Sequence, residues 1–209
     1  MKKLVLTFIL LFGLNLSADL ISDGMVTYKS NNFKSAINLW GNACDKGNID
    51  GCYNLAYVYA NGKGMRHNEK KAAALYSKAC DAGDTKACSN LGILYENGVG
   101  GIKQNFYKSS RLYAKSCNAG DVNGCYNLGV AYYRGRGVYR DYKIASEIYE
   151  DTCNKGRIAG CYYLAEMHKR GKGIPKDRSL AKKFYAKACD LGSSGGCRKY
   201  RRLVDEDVN

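Results

Sequence analysis

Apolar and small residues recur along this chain in two alternating helical patterns. In the first, an Asn or Asp (Asn32, Asn68, Asn105, Asp141, Asp177) is followed four residues later by a small residue (Ala36, Ala72, Ser109, Ala145, Ala181). Four residues further on stands an aromatic one (Trp40, Tyr76, Tyr113, Tyr149, Tyr185). Residues four apart share a helix face, and an Asn or Asp ahead of them accepts from the free amides of a helix start. The spacing therefore predicts five helices, each running from its cap to the cysteine twelve residues beyond it (Cys44, Cys80, Cys117, Cys153, Cys189). In the second pattern Cys, Leu, a small residue and Tyr fall at i, i+3, i+4 and i+7: Cys52, Leu55, Ala56 and Tyr59; Cys88, Leu91, Gly92 and Tyr95; Cys125, Leu128, Gly129 and Tyr132. A fourth copy ends on histidine, as Cys161, Leu164, Ala165 and His168. That is one packing stripe on a helix starting near the second cysteine, with a small residue that admits a close neighbour.

Glycine punctuates both patterns. Gly47, Gly83, Gly120, Gly156 and Gly192 stand three residues after the first cysteine, where a left-handed residue ends a helix. The second helices close on Gly62-Lys-Gly64, Gly98-Val-Gly100, Gly135-Arg-Gly137 and Gly171-Lys-Gly173. A G-x-G invites a phosphate-loop reading, but no strand precedes it and it recurs with the period, so it reads as a connector. Gly101 is one extra residue in the second of these connectors, where an insertion belongs.

All ten cysteines lie in five C-x7-C pairs, repeating at steps of 36, 37, 36 and 36 residues. A fixed period of this size marks a repeat array in which each unit buries its apolar face on its neighbours. The fold class is an all-α solenoid of αα-hairpins. The last copy turns polar, with Tyr200 in the leucine place and a basic stretch from Arg198 to Arg202, which suits a terminal cap over about residues 198–209. Two disulfide schemes fit a helical array: each cysteine with the one eight residues on, or Cys52 with Cys80 and so on around the longer hairpin. The second strands Cys44 and Cys197, whereas the first uses every thiol and is the one expected. Each such bridge closes a short loop and contributes about 2 to 3 kcal/mol in the chain-entropy picture.

Lys2 and Lys3 precede an apolar run from Leu4 to Leu14 and a small residue at Ala18. This reads as a signal peptide over residues 1–18, too short to span a bilayer comfortably, with a buried N-terminal helix or membrane anchor as the alternative. Residues 19–209 then form a single repeat domain, exported to the periplasm or secreted, which agrees with heavy cysteine use. A structural metal is disfavoured, because His67 and His168 are the only histidines and zinc favours closer ligand pairs. No cofactor is implied, and a monomer is expected. The formal charge is +14, concentrated between residues 134 and 202, where 18 Lys and Arg face 7 Asp and Glu. A basic half favours anionic partners such as acidic peptides or cell-wall polymers; the chain has no nucleic-acid-binding pattern and no later membrane span.

Cys125, Leu128, Gly129 and Tyr132, followed by Ala145 and Tyr149, resemble the tetratricopeptide pattern W-x2-L-G-x2-Y…A-x3-F. Cysteine takes the tryptophan place, the closing proline is absent and the connector is longer. Those departures resemble the Sel-like repeat family, and the cysteine pairs resemble its secreted cysteine-rich subgroup, typified by the Helicobacter cysteine-rich proteins. The resemblance covers about residues 25–200. It implies a right-handed superhelix with a concave groove, and a penicillin-binding or weak β-lactamase activity, but it carries no catalytic motif onto particular residues. A serine β-lactamase needs S-x-x-K with two further motifs. Ser179-Leu-Ala-Lys182 matches the first at chance frequency and the others do not occur.

The candidate ligand groove comes from what the packing stripe leaves over. Asn54, Asn90 and Asn127 stand two residues after their cysteines, with Asn61, Asn97, Arg134 and Arg170 seven residues further along the same face. The resemblance places the three asparagines in the groove, and an amide that both donates and accepts suits an extended, amide-containing ligand. That ligand is a peptide, a cell-wall fragment, a β-lactam or a protein partner; the competing reading is that these asparagines brace neighbouring helices. His168, in a core tyrosine's place, is expected to be a packed residue capable of one hydrogen bond.

Overall fold

The computed structural model describes residues 19–208, so the leader expected over residues 1–18 lies outside the described residues. Every regular element among them is a helix: α1 over residues 19–29, α2 (Phe33–Asp45), α3 (Ile49–Asn61), α4 (Glu69–Asp81), α5 (Thr85–Asn97), α6 (Phe106–Asn118), α7 (Val122–Arg134), α8 (Tyr142–Asn154), α9 (Ile158–Arg170), α10 (Arg178–Asp190) and α11 (Ser194–Val208). Asn32, Asn68, Asn105, Asp141 and Asp177 cap α2, α4, α6, α8 and α10 through side-chain oxygens that accept from the first-turn amides. The partner helices start near their cysteines, three residues ahead of them. Their caps, Asn48, Asp84, Asp121 and Ser193, immediately follow the turn glycine and accept from Gly51, Ala87, Gly124 and Gly196 at 2.8–3.0 Å. Arg157 occupies this place ahead of α9 and makes no capping bond.

The turn between paired helices is very short, and Gly47, with φ 85°, adopts the left-handed conformation that permits it. All five disulfides join cysteines eight apart, with Cα separations of 4.3–4.7 Å. Each ties the end of one helix to the first turn of the next. The residue before the second cysteine is Gly51, Ala87, Gly124, Gly160 or Gly196. A Cβ on Gly51 would stand 2.7 Å from the Ala43 Cβ and 2.9 Å from the Cys44 nitrogen, so small size is what lets the two helices meet. Five bridges are the mark of an oxidising environment, extracellular or periplasmic.

The first pattern is buried as expected: Trp40, Tyr76, Tyr113, Tyr149 and Tyr185 are at most 2% exposed. The second is wider than the stripe. Cys52, Ala56 and their counterparts are buried, yet Tyr59, Tyr95, Tyr132 and His168 are only half-buried. The position six after the cysteine (Val58, Leu94, Ala131, Met167) is buried as well. These helices are packed on two sides, α3 by α2 and α4, α7 by α6 and α8, α9 by α8 and α10, and two neighbours demand a broader apolar arc than one. His168 stacks on Phe184 at 5.6 Å, and its Nδ1 is buried with no hydrogen-bond partner among the described residues.

The chain falls into two compact units, meeting at Gln104 and Asn105. In the first, α1 covers Trp40, whose Nε1 lies 3.5 Å from the Ile21 carbonyl oxygen, and α2 to α5 pack in succession. In the second, α6 to α11 do the same. The G-x-G connectors lock hairpin to hairpin within each unit. Gly64 packs against Phe33 in the first, and Gly173 against Tyr142 in the second. Arg136 lies over the Phe106 ring at 5.2 Å and Lys172 over Tyr142 at 4.8 Å, so the middle residue adds a cation–π contact. Gly100 and Gly101, with φ 62° and 76°, absorb the extra residue. Among the described residues no helix is long and apolar enough to cross a membrane.

Candidate functional site

In the first unit a cavity of about 260 Å3 lies above Tyr76 of α4, between α3 and α5. Its walls follow from helical spacing. Tyr57, Ala60 and Asn61 project together from α3, at i, i+3 and i+4, and Asn90, Ile93 and Leu94 do so from α5. Asn61 and Asn90, two of the asparagines singled out in the sequence, thus meet across one depression. Asn90 donates to the Tyr53 hydroxyl at 3.5 Å and also hydrogen-bonds Tyr76, so it braces the floor as well as lining the opening. Burial, helped by Tyr53, pushes the Tyr76 hydroxyl well above its ordinary range, so it stays protonated. Asn61 donates to its own helix at the Tyr57 carbonyl, 2.8 Å away, and its side-chain oxygen has no bond among the described residues. Asn54 is half-buried on α3 and Asn97 is exposed in the last turn of α5; neither lines the cavity.

In the second unit Asn127 is half-buried on α7 and already engaged by a neighbour. Arg134 is exposed at the end of α7, near enough to Tyr126 and Tyr149 to act on their hydroxyls. The asparagine position becomes Tyr163 on α9 and Lys199 on α11. Tyr163 stacks on Tyr149, the counterpart of Tyr76, at 5.6 Å, and lies 6.1 Å from Tyr126. Burial, then Tyr163, pushes the Tyr126 hydroxyl up to about 12, and burial pushes the Tyr149 hydroxyl well above its ordinary range, so both stay protonated.

Arg170 does not stand free. Its Nε donates to Glu166 at 2.9 Å, and the same carboxylate accepts from the Tyr185 hydroxyl and faces Lys199 Nζ at 3.5 Å. Burial works to raise the Glu166 pKa, but Tyr185, Lys199 and Arg170 outweigh it and hold the carboxyl below its usual range. Sequence reasoning passed over Glu166, Tyr57 and Ile93. The signal was present in the repeat itself, since Tyr57, Ile93, Val130, Glu166 and Arg202 all stand five residues after a cysteine, and among them Glu166 alone is acidic. Ser179 is exposed in the first turn of α10, and Lys182 is half-buried and engaged. No cluster of His, Cys, Asp and Glu able to hold a metal occurs among the described residues.

The structure resembles a protective antigen of uropathogenic Escherichia coli that displays an SLR fold, with a TM-score of 0.84 and 26% identity over 90% of this chain and 41% of the antigen. This chain therefore spans less than half of that protein's length. A Sel1 repeat protein from Oxalobacter formigenes superposes with a TM-score of 0.82 at 24% identity, over 88% of this chain and 74% of the other. Cysteine rich protein B of Helicobacter pylori is 32% identical over 61% of this chain and 91% of its own, with a TM-score of 0.48. No curated protein matches the sequence. The Sel1 repeat pattern matches residues 49–84, 85–121, 122–156 and 158–193. The first match joins α3 to α4, so the matched unit is offset by one helix from the disulfide-bridged hairpin. With most of its residues in four such matches and its helices paired as they require, the chain belongs to the Sel1 repeat family.

Proposed function

We propose that this exported, disulfide-rich repeat protein is an interaction module that takes an extended, amide-containing ligand, a peptide segment of a protein partner, along the face bearing Asn61 and Asn90. One observation carries the reading: two side-chain amides on different helices converge on a cavity whose other walls are Tyr57, Ile93 and Leu94. Amides supply the donor and acceptor that a peptide backbone needs, and the aromatic and aliphatic walls supply burial for its side chains. Tyr57 and Ile93 are about 40% exposed, so apolar surface is open to a partner there. Asn54 and Asn97 in the first unit, and Asn127, Arg134 and Arg170 in the second, stand at corresponding positions of the repeat, and we assign each to ligand contact within its own unit on that basis.

A β-lactam is the second reading, because it too is an amide-containing ligand and the resemblance drawn from the sequence to the secreted cysteine-rich subgroup implies such an activity. Both readings are tested on oxidised protein beginning at Asp19, beside an Asn61→Ala/Asn90→Ala variant. Peptides are selected from a displayed random library and their affinities measured by fluorescence anisotropy, and a chromogenic β-lactam is followed in parallel. The peptide reading predicts selected sequences whose affinity drops about tenfold in the variant, as expected for two lost hydrogen bonds. Sequences that bind both proteins equally, or no enrichment at all, would contradict it. β-lactam turnover that the variant abolishes would move the assignment to the second reading.

A further inference from the structure

A repeat array carries its own comparison, because each position on one hairpin has counterparts on the others. The cavity lining of the first unit recurs in the second on α9 and α11, above Tyr185 in the place of Tyr76. There Tyr57 becomes Glu166, Ala60 becomes Lys169 and Asn61 becomes Arg170; Asn90 becomes Lys199, Ile93 becomes Arg202, and Leu94 remains leucine as Leu203. The buried frame is kept, with Tyr185 and Leu203 at most 1% exposed, while all five other lining positions now carry Glu, Lys or Arg in place of uncharged side chains.

Glu166, Lys169 and Arg170 lie at i, i+3 and i+4 on α9, and Lys199, Arg202 and Glu206 at i, i+3 and i+7 on α11. The Lys199–Glu166 pair, at 3.5 Å, joins the two faces. Glu166 is consumed by Tyr185, Arg170 and Lys199. Among the described residues Arg202 pairs with one carboxylate, Glu206, at 3.6 Å, and that carboxylate is already bound by Arg178 at 3.0 Å. Lys169 has no carboxylate pair among the described residues, and burial together with Arg202 and Lys199 lowers its pKa. Positive charge is therefore crowded on this face without enough carboxylate to balance it.

We propose that the α9–α11 face binds the carboxylates of an acidic polypeptide segment, with Lys169 and Arg202 taking the ligand's charge while Glu166 holds Arg170 and Lys199 in place. Glu166 and Glu206 within the face repel a dense polyanion, whereas the spaced carboxylates of a peptide can sit between them. That the ligand is a polypeptide rests on the function proposed above; that it is anionic rests on these residues alone.

The test uses oxidised mature protein, a labelled alanine-rich octapeptide with three glutamates, its glutamine counterpart, and glutarate as a small dicarboxylate. The variant is Lys169→Gln/Arg202→Gln, which leaves every Glu166 partner in place. The glutamate peptide is expected to bind about tenfold more tightly than the glutamine peptide, with the advantage shrinking in salt and vanishing in the variant. Equal affinities, or an advantage the variant keeps, would overturn the anion site and leave the amide cavity standing. If neither peptide binds but glutarate shifts amide resonances of α9 and α11 in the wild type alone, the anion site holds and the polypeptide assignment fails. No response to peptides or glutarate overturns the proposal.

Discussion

Glu166 illustrates how one side chain can report on its whole surroundings. A carboxylate taken this far out of water is tolerated because a hydroxyl, a guanidinium and an ammonium converge on it. Its folded pKa is depressed, so the stability it contributes is fully present above the ordinary carboxylate range and is lost as pH falls through the folded value. Glu166→Gln is expected to cost about 1.5 to 3 kcal/mol at neutral pH, and the deficit should fade as the pH falls below the ordinary carboxylate range and through the lowered folded value, where the wild-type carboxyl protonates. Chemical denaturation of both proteins across that range measures it, and a deficit independent of pH would mean that shape rather than charge holds the site. Asn90 shows why this scale is hard to see in a sequence. Its spacing placed it on the right face, but only the fold reveals that it also ties Tyr53 to Tyr76.

At the scale of the helix, what was legible is what the period repeats. The five caps, the buried aromatics, the turn glycines and the cysteine pairs were all set by spacing, because each depends on neighbours within one hairpin. The caps at Asn48, Asp84, Asp121 and Ser193 were not legible, because the stripe places the start of the second helices only near their cysteines and these caps stand four residues ahead of them. The arc through Val58, Leu94, Ala131 and Met167 was missed for a different reason: it faces a second neighbour, and a stripe count assumes one. Two substitutions test this local account. Asp84→Ala should cost about 1 kcal/mol, the usual worth of a cap. Gly160→Val should cost more, since a Cβ there would collide with the Thr152 Oγ1 and stand 2.9 Å from the Cys153 nitrogen and 3.0 Å from the Tyr149 carbonyl oxygen, and the two backbone atoms cannot swing aside even where the threonine does. Equal losses in thermal unfolding would count against close approach as the reason for the small residue.

Across the whole molecule, ten helices are joined in pairs by five short-range bridges, and each hairpin leans on its neighbours within a unit. Replacing Cys153 and Cys161 together with alanine is expected to cost about 2 to 3 kcal/mol, lowering the unfolding midpoint by about 5 to 10 °C. The repeat also explains what was legible of function. The face bearing Asn54, Asn90 and Asn127 could be located by position, whereas the cavity between Asn61 and Asn90 depends on how far α3 and α5 stand apart over Tyr76, a distance no single helix encodes.

The central claim is that this face receives the ligand, and amide resonances test it most directly. A selected peptide is added to labelled, oxidised protein. The account predicts that the largest shifts fall on the Asn61 and Asn90 side-chain amides and on the backbone around Tyr57 and Ile93. Shifts confined to the connectors around Gly137 or Gly173, with Asn61 and Asn90 unmoved, would contradict it.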